Sequence, residues 1–379
     1  MKLSIAGENF YQNGARTYTE EAGFPNADER LEGLLLNHRV INGIFDDLNE
    51  DRDYDGDGRD DWAYPDSGEW DAERNTQQFV EAMSDWRACG VIAFTIGLQG
   101  GNPFPTSPPP DGLSTRDLDC GAFNPDGSLR PAFMQRLRRV LHEAERLDMV
   151  PIINYFYQGG NRRIREEAIG TAIDNATRWL LEQGYDRLII DLANECDASA
   201  YWPTLQLPNI HEMIYRVKDA VTLHNNATGH ARTFYVGASF TGAFSIPENL
   251  RDIPASFMRA VDLLLPHGNK RSTKEIAGAI DVLRERTEAL ARKPLPIVYN
   301  EDTQAVDEDA EDTGGDLEHL QVCLDAHVSW GNLIRSHQRV PCKSWFEGTP
   351  VQRRWFETTR ELAGEPEPPR SVHTFYHRI

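Results

Sequence analysis

LIIDLANECD, residues 188–197, is an apolar run that ends on a polar pair. Leu188 to Leu192 are rich in leucine and isoleucine and nearly continuous in hydrophobicity, the pattern of a strand covered on both faces. Asn194 and Glu195 place an amide and a carboxylate side by side where the run stops. LPIVYNED, residues 295–302, repeats the device and ends on Asn300, Glu301 and Asp302. Strands covered on both faces belong to parallel sheets flanked by helices.

The rest of the chain follows the same rhythm. Strand-like runs occur at 33–37, 91–98, 149–156, 188–193, 233–240, 261–266, 295–300 and 328–334, and helix-like stretches fill the gaps between them. One helix reads from an Asn cap in NTQQFVEAMSDWRACG to Gly90, and another from Ser128. Eight strand–helix units fit a closed (β/α)8 TIM barrel better than an open sheet. No glycine-rich phosphate loop follows the first strand. Two short strands in SIAGENFYQNGARTY form a hairpin ahead of the barrel. Long segments after strands one (42–74), two (99–127) and eight (335–349) belong on the C-terminal face, where barrels keep their active sites. The pattern gives one domain over residues 1–379, with 42–74 as an inserted loop.

Composition excludes several classes. The net charge of −21, from 60 acidic and 39 basic residues, speaks against nucleic acid or an anionic membrane as partner. No apolar stretch approaches the ~20 residues of a membrane span. The five cysteines have no CxxC spacing, so neither a disulfide framework nor a structural zinc site is expected. The first residues lack the long apolar segment of a secretory signal, which reads as cytoplasmic, or as secreted if a signal has been trimmed. The sequence carries no indication of oligomeric state.

On a barrel, Glu195 ends strand four and Glu301 ends strand seven, and both project from one rim. Two converging carboxylates, one protonated and one ionised, are the minimal equipment for retaining glycoside hydrolysis. With these residues the chain resembles the clan of (β/α)8 glycoside hydrolases that includes glycoside hydrolase family 5. The resemblance implies Glu195 as acid/base, Glu301 as nucleophile, and Asn194 as the partner of the sugar 2-hydroxyl. It also implies an Arg near the end of strand one or two that pairs with the nucleophile. LLNHR offers Arg39, and Asn37 as a further candidate for substrate contact. An aromatic floor after strand eight falls to Trp330 or Trp345. Strand six keeps His267 but carries Gly268 and Asn269 where the clan has an aromatic. Gln99 and Asn102 at the end of strand two, and Tyr155, Tyr157 and Gln158 at the end of strand three, suit hydroxyl recognition.

DYDGDGRDD, residues 53–61, has the spacing of the first part of an EF-hand calcium loop. Asp53, Asp55, Asp57 and Asp61 would be ligands, with the carbonyl of Arg59, although position 12 is Tyr64 and not Glu. A structural Ca2+ is expected there, and no cofactor for the chemistry. The expected activity is hydrolysis of a β-linked poly- or oligosaccharide. The rivals are a carbohydrate-binding barrel without catalysis and a metal-dependent hydrolase, the latter poorly supplied with histidine at strand ends.

Overall fold

The computed structural model describes residues 2–104, 117–186, 188–291, 293–304, 315–346 and 348–366. Part of the segment expected after strand two therefore lies outside the described residues. The chain opens with three antiparallel strands, β1 (Leu3–Ala6), β2 (Asn9–Gln12) and β3 (Ala15–Arg16), so the expected hairpin gains a third strand. They cover the N-terminal mouth of the barrel. Gln12 Nε2 donates to the Asp148 carbonyl at 2.7 Å, and the Tyr18 hydroxyl bonds the Gly90 carbonyl at 2.7 Å, both just ahead of barrel strands.

The barrel strands are β4 (Asn37–Arg39), β5 (Ala93–Gly97), β6 (Val150–Phe156), β7 (Leu188–Ala193), β8 (Phe234–Gly237) with β9 (Ser239–Phe240), β10 (Leu265–Pro266), β11 (Val298–Asp302) and β12 (Ser329–Asn332). Seven run parallel in the order β11-β12-β4-β5-β6-β7-β8. β9 resumes the fifth barrel strand one residue after β8 and pairs in parallel with β10. Parallel bridges Leu264–Ile297 and His267–Glu301 then join the sixth strand to β11 and close the ring. This is the (β/α)8 fold.

The first strand starts later than its apolar run. Leu34, Leu35 and Leu36 are buried, but side chains take up their main-chain groups. Thr17 Oγ1 bonds the Leu34 carbonyl, Ser329 Oγ bonds the Leu35 amide, and the Tyr18 hydroxyl bonds the Leu36 amide. The Leu36 carbonyl accepts from the Ala93 amide of β5 at 3.2 Å, and the run is strand-like in composition chiefly because it is covered on all sides.

Around the ring lie α1 (Ala72–Ala88), α2 (Pro131–Arg146), α3 (Ile169–Glu182), α4 (Ile210–Thr228), the short α5 (Pro247–Leu250) and α6 (Ala255–Ala260), α7 (Thr273–Arg286), α8 (Asp316–Asp325) and α9 (Pro350–Leu362). Asp71, not Asn75, caps α1 by accepting from the Arg74 amide at 2.9 Å. Asn75 sits inside the helix and donates to the Asn42 carbonyl, and α2 begins at Pro131, after the expected Ser128. None of the helices among the described residues is long and apolar enough to cross a membrane.

The inserted loop 42–74 has a small core of its own. Phe45, Trp62, Phe104, Leu118, Cys120 and Val340 pack together, joining the segments after strands one, two and eight into one wall. Asp47 anchors it by accepting from the Tyr54 hydroxyl at 2.6 Å and from Trp62 Nε1 at 3.1 Å.

Close packing inside the barrel gives the first prediction. A Cβ at Gly331 would lie 1.9 Å from Asn37 Oδ1, and Asn37 is buried with its amide on the Tyr299 carbonyl. Gly331→Ala is expected to cost about 1–3 kcal/mol, as overpacking does, and to lower the melting temperature. An unchanged thermal transition would mean that the Asn37 side chain gives way freely.

Candidate active site

Both carboxylates are delivered by backbone that departs from a regular strand. β7 continues to Asn194, whose amide donates to the Phe156 carbonyl at 2.8 Å. Glu195 then takes φ +59°, in the left-handed region, which costs an ordinary residue roughly 1–2 kcal/mol. Neighbours hold it there. The Glu195 amide donates to Ser239 Oγ at 3.0 Å, the Cys196 amide to the Ser239 carbonyl at 2.8 Å, and the Tyr201 hydroxyl to the Asn194 carbonyl at 2.5 Å. On β11, Tyr299 pairs with Trp330 and Asp302 with Asn332, so three steps oppose two. This is a β-bulge, which re-aims a side chain. Trp330 and Asp302 face the helices, and the extra residue lets Glu301 turn into the barrel.

There Glu195, Glu301 and His267 converge, each offering an atom within 4.8 Å of the others. His267 Nδ1 lies 3.2 Å from Glu195 Oε1 and 3.6 Å from Glu301 Oε2. Arg39, 1% exposed, brings Nε to 2.5 Å from Glu301 Oε2 and donates from Nη2 to Asn194 Oδ1 at 2.6 Å. Asn269 Nδ2 donates to Glu301 Oε1 at 2.6 Å, and Gln158 Nε2 donates to Glu195 Oε2. The carboxylates keep a narrow outlet, with side chains 13% (Glu195) and 10% (Glu301) exposed.

Electrostatics separate the groups. Burial pushes the Glu301 pKa up, but Arg39, His267 and Asn269 together outweigh it, and the carboxyl lies below its ordinary 4.5. Burial alone would hold His267 neutral. The charges of Glu301 and Glu195 more than compensate, and its pKa lies above the ordinary 6.5.

Asn194, Arg39, His267 and Asn269 thus meet around the two glutamates. Tyr157 joins them, its phenol pKa raised by burial and then by the Glu301 and Glu195 charges. Asn269 occupies the place where an aromatic residue was expected. Gly268 beside it has no room for a side chain, since a Cβ would meet the Asp302 carboxylate at 2.4 Å.

Six expected substrate contacts are engaged elsewhere. Asn37 sits two residues below Arg39 inside the barrel, buried. Gln99 spends its amide on the loop after strand three, donating to the Gly160 carbonyl and accepting from the Tyr157 amide. Tyr155 points away from the barrel axis, its hydroxyl 3.2 Å from Thr177 on α3. Trp330 is fully buried, donates to Asp302 Oδ2 at 2.8 Å and packs on Trp355 of α9. Trp345 packs against Phe79 of α1, while its carbonyl accepts from Trp86 Nε1. Strand alternation explains Tyr155 and Trp330, because neighbouring residues face opposite sides. Asn102 turns its side-chain oxygen to the Phe104 amide.

Sequence reading passed over Asp191 and Ser239, which lie beneath Glu195. A buried aspartate inside an apolar strand was the available signal for the first. Ser239 carried none.

In the acidic loop, Asp53, Asp55 and Asp57 bring carboxylate oxygens within 4.8 Å of one another. Asp61 is not in that group. Its carboxylate accepts from the Tyr54 amide at 2.6 Å, and burial raises its pKa. The side chain of Arg59, whose carbonyl was the expected ligand, extends into solvent.

No protein-family model and no curated relative matches the chain. Solved structures do. A GH5-4 broad-specificity endoglucanase from an uncultured bacterium is similar at a TM-score of 0.50 and 11% identity, covering 94% of this chain and 98% of that one. A glycoside hydrolase family 5 enzyme from Prevotella bryantii gives 0.50 and 13%, covering 87% and 96%. Fpglu1 from Fervidobacterium gives 0.52 and 12%, covering 91% and 97%. At these identities the shared property is the (β/α)8 fold.

A titration tests the electrostatics. Because the Glu301 pKa is lowered in the folded state, its pairing contributes stability that is fully present above pH 4.5. That stability is lost as pH falls through the folded-state value. Arg39→Met leaves burial in place and removes its main opponent. The Glu301 carboxyl, followed by 13C NMR, is expected to titrate below 4.5 in the wild type and above it in the variant. The same low value in both proteins would assign the shift to other groups.

Proposed function

We propose that the chain is a retaining glycoside hydrolase in which Glu301 is the nucleophile and Glu195 the acid/base. The observation that carries this reading is the meeting of two carboxylates from different strands on the C-terminal rim, with oxygens within 4.8 Å and Arg39 keeping one ionised. Retaining enzymes hold their carboxyl groups ~5–5.5 Å apart, and inverting enzymes ~6.5–9.5 Å, to leave space for a water. The close approach favours the first. The endoglucanase and the family 5 enzyme that share the fold support a carbohydrate substrate, and a β-linked poly- or oligosaccharide is the class proposed.

In the first step a Glu301 oxygen attacks the anomeric carbon while Glu195 gives its proton to the departing glycosidic oxygen. The product is a glycosyl ester on Glu301. In the second, Glu195, now a carboxylate, takes a proton from water. The resulting hydroxide displaces Glu301 from the anomeric carbon, which restores both groups. Arg39 and Asn269 keep the Glu301 charge available. Asn194, fixed by Arg39, presents its amide nitrogen to the sugar. Tyr157 takes the place of the two tryptophans as the aromatic side chain beside the reacting centre.

A carbohydrate-binding barrel without catalysis would have no use for a buried arginine pressed against a carboxylate. A metal-dependent hydrolase fits less well, because Arg39, Asn269 and Gln158 already direct donors at the carboxylate oxygens a cation would need.

The test is a panel of β-linked polysaccharides and aryl β-glycosides, with the anomer of the first-formed product read by NMR. Retention is expected. Glu195→Gln is expected to lower kcat by about 10²–10⁴-fold on substrates with poor leaving groups, and Glu301→Gln to abolish turnover, both with the fold intact by circular dichroism. Inversion of configuration would keep the residues and refute the double displacement. Near-normal turnover in either variant would refute the assignment.

We also infer that Asp53, Asp55 and Asp57 hold a structural Ca2+ remote from the chemistry. Their converging oxygens suit a hard cation, and Tyr54 and Trp62 connect the loop to the wall of the cleft. A chelator is expected to lower the melting temperature, and added Ca2+ to raise it progressively, as linkage requires. Asp55→Ala with Asp57→Ala should remove that dependence. A melting temperature indifferent to both reagents in the wild type would leave the loop merely acidic.

A further inference from the structure

The left-handed turn at Glu195 is held from inside the barrel by two buried residues. Ser239 Oγ accepts the Glu195 amide proton at 3.0 Å. Asp191, fully buried on β7, receives the Ser239 amide on Oδ1 at 3.0 Å and lies with Oδ2 3.1 Å from Ser239 Oγ. Asn154 on β6 donates to Asp191 Oδ2 at 3.2 Å. We propose that Asp191 is a positioning residue for Glu195 and acts through the Ser239 hydroxyl. The proposal rests on the reading of Glu195 as the acid/base.

The direction of the hydrogen bonds carries it. A serine hydroxyl has one proton to give and lone pairs with which to accept. An ionised carboxylate only accepts, so Asp191 draws the hydroxyl proton toward itself. The Ser239 lone pairs are then left facing the Glu195 amide. The Ser239 main chain is tied at both ends, its amide to Asp191 and its carbonyl to the Cys196 amide. The turn that aims Glu195 is therefore gripped on both sides of the residue.

A left-handed glutamate without this grip would relax toward ordinary backbone angles, and its carboxyl would swing away from the scissile bond. An Asn at 191 has nearly the same shape but can offer an N–H to Ser239 Oγ. That would occupy one of its lone pairs and send the hydroxyl proton to the Ala193 carbonyl, 3.5 Å away, which rotates the other lone pair off the Glu195 amide. Burial, opposed by the positive charges of Arg39 and His267, raises the Asp191 pKa to about 6. The Tyr201 hydroxyl and the Cys196 thiol also face it. Above that pH the carboxylate performs the alignment described.

The experiment uses the whole chain. On an aryl β-glycoside that the wild type hydrolyses, Asp191→Asn and Ser239→Ala are each expected to lower kcat by about 10- to 100-fold, with KM within about twofold. The double variant should be no worse than the poorer single one, because both act through one contact. Losses that multiply in the double variant, or that reside in KM, would overturn the proposal. Ser239→Thr keeps the hydroxyl and should retain most of the activity. If Asp191→Asn does not fold, equal losses in the Thr and Ala variants would overturn the proposal in its place.

A second readout is independent of turnover. Hydrogen exchange of the Glu195 amide should be at least about tenfold faster in Asp191→Asn and in Ser239→Ala than in the wild type, while the Ile189 amide within β7 is unchanged. Unchanged exchange at Glu195 would overturn the proposal. A wild type inactive on every glycoside would overturn the glycosidase reading while this measurement still decides the role of Asp191.

Discussion

The contact on which the site depends is the buried ion pair between Arg39 and Glu301. An isolated carboxylate at this depth would be driven toward its neutral form, because burial penalises the charge. Arg39, with His267 and Asn269, reverses the outcome, and Arg39 in the same motion takes the Asn194 side chain. One guanidinium thus couples the first, fourth and seventh strands of the barrel. Removing one member of such a pair typically costs about 3–5 kcal/mol, since the survivor is left buried and unpaired. The pair therefore makes the two strand ends interdependent as well as setting a charge.

The other contributions follow from that anchor. His267 stands between the two carboxylates and is drawn toward its charged form by both. Asn269, standing where the resembling clan has an aromatic residue, supplies the second donor to Glu301, and Gly268 leaves space for Asp302 behind it. Both glutamates sit at irregularities, a left-handed residue on one strand and a bulge on the other. Irregular backbone persists only where neighbours over-determine it. Ser239, Tyr201 and the Arg39 contact supply that constraint here.

Away from the chemistry, the inserted loop is organised by aromatic packing and by aspartates in two different roles. Asp47 is a buried acceptor for Tyr54 and Trp62 and needs no cation. Asp53 is half-buried, Asp55 and Asp57 are exposed, and the three crowd their oxygens together. In the sequence these residues belong to one acidic stretch. Burial and partners separate them.

The eightfold strand–helix alternation, the two strand ends bearing glutamate, and the arginine of the first strand were legible in the linear pattern. Hydrophobic runs bounded by polar residues follow directly from burying a parallel sheet, and this requirement is local. The inward or outward aim of each side chain was not legible. Tyr155, Trp330 and Trp345 were read as facing the sugar, and all three face helices: one step along a strand reverses the side of Tyr155 and Trp330, and Trp345 belongs to the loop after the eighth strand and packs on Phe79 of α1. Asn37 and Gln99 look like recognition groups until their partners, a barrel carbonyl and a loop, are in place. Asp191 and Ser239 became visible as supports only once two strands lay side by side. Sequence by itself determined which strands form and where carboxylates occur. Only the tertiary structure decided which of those groups share a charge, a proton or a hydrogen bond, because such couplings act over a few ångströms between residues far apart in the chain.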